Sequence, residues 1–510
     1  MNKILFLIFL FFSLKSYSQE PADALRISWN VPAGTARQQA IGGAMGSLGG
    51  DLSATFVNPA GLGFYKTGDF AFTPLYRFGK NKSTYFDHKE TEKDAKFDFG
   101  PTGLVFGTGS RTGNVRSHVI SIAFNTTGNF SNDILYRGIN NQSSYSQKFI
   151  EELENYGQFD STITYLFPFG SSLAFNTYWI DPQRNGSGEV TGFTTNSPIG
   201  TGLIQEQKIT NRGGSYEGSI AFAANIKDKL MVGGSVGVPY LYYRREASFA
   251  EADATTDNTN RFDFAEFEET LTTSGFGANL KLGVIYKPQE FWRLGLALHS
   301  PTIYTLTDKY EAQLTTNTEA HAGTWSDYSK DYTGGQPSEF EYLLVTPYKV
   351  IGSISYVLRE IEDITKQRGF LTADVEYVNH KASSFSTDDE NGDQSTTNYL
   401  KQLNKAIDNA YKGTFNFRVG GELKFTTVMV RLGAAYYGNP YKNINGEKGH
   451  KLNLGGGLGY RNKGKFIDLT YVHSMTKDVH FPYRLQNGPY SGANIKGTIG
   501  NVILTFGIKI

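Results

Sequence analysis

Four cationic residues, Lys281, Arg293, Arg418 and Arg431, sit in short segments where polar and apolar residues alternate. Lys281 stands between Leu280 and Leu282, Arg293 between Trp292 and Leu294, Arg418 between Phe417 and Val419, and Arg431 between Val430 and Leu432. Gathered on the polar faces of strands, such groups could hold a carboxylate through charge-assisted hydrogen bonds. Asp374, Glu376, Glu422 and Asp468 occupy the same kind of position, so pairing among the charges competes with ligand binding at each cation. Catalytic chemistry finds less support. His299-Ser300 and His473-Ser474 are neighbours, and neighbours in a strand point to opposite faces. Gly43 to Gly50 and Gly455 to Gly464 lack the Gly-Lys-Ser/Thr ending of a phosphate loop. No cysteine is present to supply a thiolate or a disulfide. His473 and His480 are the one close pair among eight histidines, and no pattern of supporting residues marks them as a haem site. No enzymatic activity, metal or cofactor is therefore expected.

The elements that carry these residues are strands. In Asn501 to Ile510, Val502, Leu504, Phe506, Ile508 and Ile510 share one face. Val428, Val430, Leu432, Ala434 and Tyr436 do the same ahead of them, as do Phe415, Phe417, Val419, Leu423 and Phe425. Strand starts fall near Asp69, Lys96, His118, Gly214, Lys229, Phe264, Phe291, Phe340, Gly369, Thr414, Val428, Lys451, Lys465 and Lys496, which makes about fourteen. Tight turns such as Thr426-Thr427 and Asn462-Lys463-Gly464 alternate with long connections, the longest from Phe124 to about Gly213. Tyr145 to Tyr156 and Asn398 to Tyr411 have helical spacing and are expected to fold over one mouth.

Met1 to Ser18 has the charge and short apolar run of a signal peptide, with cleavage near Gln19. An exported chain rich in Gly (57), Tyr (31) and Phe (37), with short alternating strands, predicts an all-β fold. The expected form is a transmembrane antiparallel β-barrel of about fourteen strands over residues 65–510, in the outer membrane with both termini periplasmic. Its contacts would include outer-membrane lipid. Equal numbers of basic and acidic residues, 49 each, argue against a nucleic-acid partner.

Residues 19–64 differ from the rest. Gly34 to Phe64 is rich in Gly and Ala, poor in large apolar groups until Phe56, and ends in Asn58-Pro59-Ala60 with Gly61-Leu62. Too little apolar area is present for a core of its own, so the segment must pack inside something else. Arg37 and Asp51 would then pair with lumen charges. With Gly275 to Tyr304 as a strand–turn–strand pair, these features resemble the FadL/TodX family of outer-membrane transporters for hydrophobic compounds. The resemblance implies an N-terminal hatch over residues 19–64, marked by Asn58, Pro59 and Ala60. It further implies a kink in the third strand, placed at Asn125 to Gly128, through which ligand leaves sideways. Passive uptake of hydrophobic compounds is the expected function, with long-chain fatty acids as the default cargo. The second reading is a FadL-like barrel serving as a subunit of a secretion or assembly complex, with protein partners at the outer loops. Haem uptake is the third.

Overall fold

The computed structural model describes residues 21–110, 112–156, 163–358, 368–387, 394–442 and 449–510. The signal peptide and Gln19 lie outside the described residues. The alternating segments form fourteen antiparallel strands that close on themselves. They are β1 (Asp69–Phe72, Pro74–Tyr85), β2 (His88–Phe99, Thr102–Gly109), β3 (Val115–Asn129, Asn132–Asn140), β4 (Leu203–Ile226), β5 (Leu230–Asp253), β6 (Phe264–Tyr286) and β7 (Trp292–His299, Ile303–Asn317). The second half comprises β8 (Ser338–Val345, Lys349–Leu358), β9 (Gly369–Asn379), β10 (Gly413–Phe425), β11 (Val428–Tyr437), β12 (His450–Asn462), β13 (Lys465–His480) and β14 (Ala493–Lys509). Pairing of Phe70 with Ile508 and of Tyr76 with Val502 joins the first strand to the last, which leaves no open edge.

Alternation decides which face meets what. Leu432 is 70 % exposed and Phe276 62 %, whereas Arg431 next to Leu432 lies wholly inside. An outward belt of large apolar residues around a polar interior is the arrangement a bilayer stabilises. Among the described residues no helix is long and apolar enough to cross a membrane.

Two strands start earlier than expected: β2 at His88 rather than Lys96, and β4 at Leu203 rather than Gly214. Lys89, Glu90, Glu92, Lys93 and Asp94 crowd the extra part of β2, and Gln205, Glu206, Gln207 and Lys208 that of β4. These extensions project past the apolar belt, so no apolar face announces them. The longest connection accordingly shrinks to residues 141–202.

Long connections lie at one end of the barrel, the loop end, together with the two-residue turn Phe86-Asp87 between β1 and β2; tight turns such as Thr426-Thr427 and Lys463-Gly464 lie at the other, the turn end. In the loop after β3, α4 (Ser146–Tyr156, preceded in the chain by α1 Pro21–Ser28, α2 Ala36–Ala40 and α3 Ala54–Val57) and the hairpin Ile180–Arg184/Val190–Thr195 form a cap. Tyr145, Phe149, Leu153 and Trp179 pack there against Phe249 of β5 and Phe267 of β6. Beneath it, Glu251 accepts hydrogen bonds from Ser144 Oγ (2.5 Å), Ser197 Oγ (2.8 Å), Gln205 Nε2 (2.8 Å) and the Tyr145 amide (3.2 Å). A second helix, Gln394–Ala410, buries Leu400, Leu403 and Ile407.

Residues 21–64 run inside the barrel as short turns and helices, among them Pro21–Ser28, Ala36–Ala40, Ala54–Val57 and the 3-10 turn Pro59–Phe64. Pro21–Ser28 packs through Leu25 with Leu403 and Tyr342 near the loop end, whereas Pro59–Phe64 lies against β5 and β6 near the turn end. The segment therefore spans the lumen lengthwise. Pro21–Ser28 thus lies toward the loop end, and Lys509 at the turn end.

Candidate functional site

An irregular backbone inside a barrel must find hydrogen-bond partners on the wall. The wall supplies them as hydroxyls and carboxylates. Thr505 Oγ1 accepts from the Ala36 amide (2.8 Å), and Thr470 Oγ1 donates to the Ala36 carbonyl (2.6 Å). Asp374 accepts from the Gly46 amide (3.0 Å), Ser235 donates to the Thr55 carbonyl (3.0 Å), and Ser117 to the Gly63 carbonyl (2.7 Å). Where the two backbones come closest the wall is glycine. A Cβ on Gly433 would lie 2.1 Å from the Ile41 carbonyl carbon, and one on Gly283 would lie 1.8 Å from Asn58 Oδ1. Leu52, Phe56 and Leu62 meet Ala71, Ala123, Ala221 and Ala223, so large residues of the segment face small ones of the wall.

Asn58 caps the turn that follows it. Its Oδ1 accepts from the Ala60 amide (3.1 Å), its Nδ2 donates to the Gly46 carbonyl (2.6 Å), and Pro59 takes the first helical position. Asp51, expected to pair with a lumen charge, instead accepts from Thr35 Oγ1 (2.9 Å) and from Ser53 N (3.0 Å) and Oγ (2.7 Å). Its turn consumes the carboxylate locally. Arg37 does reach the wall, 3.5 Å from Glu422.

Between segment and wall lies a cavity of about 150 Å³. Ile27, Gln38, Phe56 and Val57 line it from the segment; Asn125, Lys281, His299, Lys349, Glu376 and Arg418 are among its wall residues. His299 donates through Nε2 to the Val57 carbonyl (2.8 Å).

The cavity reaches an interrupted seam of the wall at β3. Between Thr126 and Gly128 the register of β3 against β4 slips, and the strand breaks at Phe130-Ser131 before resuming at Asn132. The ladder between β2 and β3 runs only from Thr102↔Phe124 to Gly109↔Ser117. Beyond it, side chains bridge inward. Asp98 accepts from Thr126 Oγ1 (2.7 Å) and Asn129 Nδ2 (3.0 Å), and Asn81 Nδ2 donates to the Asp133 carbonyl (2.6 Å). Asn125 itself donates to the Ala33 carbonyl (3.0 Å), tying the bulge to the N-terminal segment.

Among solved structures this arrangement is similar to that of a Pseudomonas aeruginosa FadL homologue. That likeness has 14 % identity and a TM-score of 0.52 over 94 % of this chain and 99 % of that one. The chain has the FadL fold. The toluene transporter TodX of Pseudomonas putida gives 12 % identity and a TM-score of 0.50, covering 94 % and 98 %. No protein-family model and no curated protein matches the sequence.

Within this FadL fold the four expected cations part company. Lys281 and Arg418 line the cavity, each already engaged: Lys281 with Glu217 (2.6 Å) and Asn279 Oδ1 (2.6 Å), Arg418 with Glu376 (2.9 Å). Arg293 lies elsewhere, donating to the Leu48 carbonyl (2.8 Å) with its guanidinium 4.5 Å from the Phe64 ring centre. Arg431 is sealed between Glu422 (2.5 Å) and Asp468 (2.6 Å). The last two hold the FadL-type interior together and do not face the cavity. His473 and His480 do not converge either. His473 meets Tyr471 (3.2 Å) on an exposed face, and His480 meets Tyr136 (2.9 Å) inside, so the two do not form a common site. Among the described residues no group of three His, Cys, Asp or Glu could hold a metal ion.

Sequence reading missed Lys349. It shares a face with Ser353 and Ser355, the hydroxyls that meet Ser47, and that parity was the available signal. Pro347 concealed it by interrupting β8 at Thr346-Pro347-Tyr348, opposite Ser300-Pro301-Thr302 of β7.

Proposed function

We propose that this protein is an outer-membrane channel for passive uptake of hydrophobic small molecules, with residues 19–64 as its hatch. Cargo enters from the loop end, rests in the cavity beside the hatch, and leaves sideways where β3 departs from the wall. One observation carries this reading: the cavity is lined both by the hatch and by Asn125 and Thr127 at the β3 bulge, so store and side exit are contiguous. A hydrophobic solute leaving there enters the bilayer directly, and each CH₂ transferred from water contributes ~0.8 kcal/mol. The toluene carried by TodX and the fatty acids expected from the sequence are both of this type. The turn end then faces the periplasm, where β14 ends.

Proteoliposomes loaded with the purified protein test the proposal. Toluene or palmitate should equilibrate across them several-fold faster than across empty vesicles, with no applied energy source. Rates equal to those of empty vesicles would overturn it.

A further inference from the structure

The cavity carries a charge and a size of its own. Glu217 neutralises Lys281, and Glu376 neutralises Arg418 while also accepting from Asn416 Nδ2 (2.7 Å). Lys349 remains. No ion pair or hydrogen bond engages its ammonium among the described residues, although it lines the same cavity. Two buried acceptors on the lining also lack a donor: Asn125 Oδ1 and Gln38 Oε1. Both side chains are more than nine-tenths buried, at 1 % and 7 % exposure, so an unanswered acceptor there is costly. An excess cation with two free acceptors asks for an anion that also donates a hydrogen bond. The volume sets the size. An apolar cavity of ~150 Å³ takes a benzene ring, and a long acyl chain needs several times that space. Ile27, Val57, Ile351 and Tyr304 supply apolar wall for such a ring.

We propose that the cavity is a binding site for a single-ring carboxylic acid bearing a hydroxyl. Lys349 holds the carboxylate, and Asn125 or Gln38 accepts from the hydroxyl. The inference rests on the uptake reading and narrows its cargo from hydrophobic compounds at large to ring-sized acids.

Full-length protein in nanodiscs, measured by equilibrium dialysis against empty nanodiscs, tests it with 4-hydroxybenzoate, benzoate and toluene. The wild type should bind 4-hydroxybenzoate at least tenfold more tightly than toluene. Lys349→Gln should weaken both acids tenfold or more and change toluene by less than twofold. Of Asn125→Ala and Gln38→Ala, at least one should weaken 4-hydroxybenzoate threefold or more while changing benzoate by less than twofold, and neither doing so would overturn the hydroxyl contact. Heat-shifted gel mobility shows that each variant is a folded barrel. Should a variant fail to fold, the wild-type preference for 4-hydroxybenzoate over benzoate and toluene decides alone. Toluene bound as tightly as the acids, or Lys349→Gln binding them as the wild type does, would overturn the assignment. Proteoliposomes that pass toluene or palmitate beside a cavity that ignores 4-hydroxybenzoate would sink this inference and leave the channel standing. Vesicles that pass none of the solutes would remove the channel reading itself.

Discussion

The cap lies over the loop end and the N-terminal segment lies within the lumen, yet they are held by different forces. Tyr145, Phe149, Leu153 and Trp179 give the cap a conventional apolar core, reinforced by the aromatic faces of β5 and β6. The N-terminal segment buries aliphatic side chains such as Ile41, Met45, Leu52 and Leu62 against the wall, without the cap's aromatic cluster. It is held by hydroxyls on its backbone, by glycines that admit it, and by Arg293 on the Leu48 carbonyl. Aromatic burial contributes several kcal/mol per side chain, whereas one exchanged hydrogen bond contributes ~1 kcal/mol net. The cap is thus held chiefly by aromatic packing, and the segment by aliphatic packing together with many hydrogen bonds to the wall.

This contrast can be broken at its strong side first. Trp179→Ala should cost the cap ~3–5 kcal/mol. Protease cleavage within residues 141–202 should appear while the barrel keeps its heat-shifted gel mobility. Gly433→Val attacks the N-terminal segment by putting methyls where Ile41 lies, an overpacking cost of ~1–3 kcal/mol. Raised solute leakage through an intact barrel is expected, and unchanged leakage would show that the segment does not seal the lumen. Asp98→Ala removes both hydrogen bonds to β3, ~1–2 kcal/mol in all. Faster sideways release of bound solute, with unaltered thermal stability of the barrel, would mark that seam as the exit.

The smallest effect is alkaline. Burial pushes the Tyr145 hydroxyl up to about 12. The folded cap therefore keeps this proton between about pH 10 and 12 while the unfolded chain gives it up. Stability is full below pH 10 and falls as pH rises through that window, by ~0.4 kcal/mol at pH 10. Hydrogen exchange in α4 should speed accordingly, and Tyr145→Phe should abolish this contribution.

Much of the barrel was legible because a bilayer forces one periodicity on every strand it touches. Leu294, Leu296 and Leu298 can face only outward once Arg293 faces inward. Legibility ended where the bilayer ended, at His88 to Ala95 and Leu203 to Gly213, whose two faces meet water or protein without a fixed rule. Within the site, alternation placed Lys281, Arg293, Arg418 and Arg431 inside the barrel but could not say which faced a cavity. That depended on partners far along the chain, Glu217 at 64 residues from Lys281 and Leu48 at 245 from Arg293. The wall glycines were equally silent. Gly283 and Gly433 look like any strand glycines until Asn58 and Ile41 are laid against them.

Fourteen strands without an edge also record an order of events. The ladder between β1 and β14 closes around residues that precede β1, while the cap covers the loop end above them. A ring cannot be drawn shut around something absent. The segment is either in place before the last hydrogen bonds form, or it feeds through the turn end into a chamber already roofed. The first route spares the polar backbone of residues 21–64 a passage along a finished wall, and it makes closure of that seam the last act of assembly.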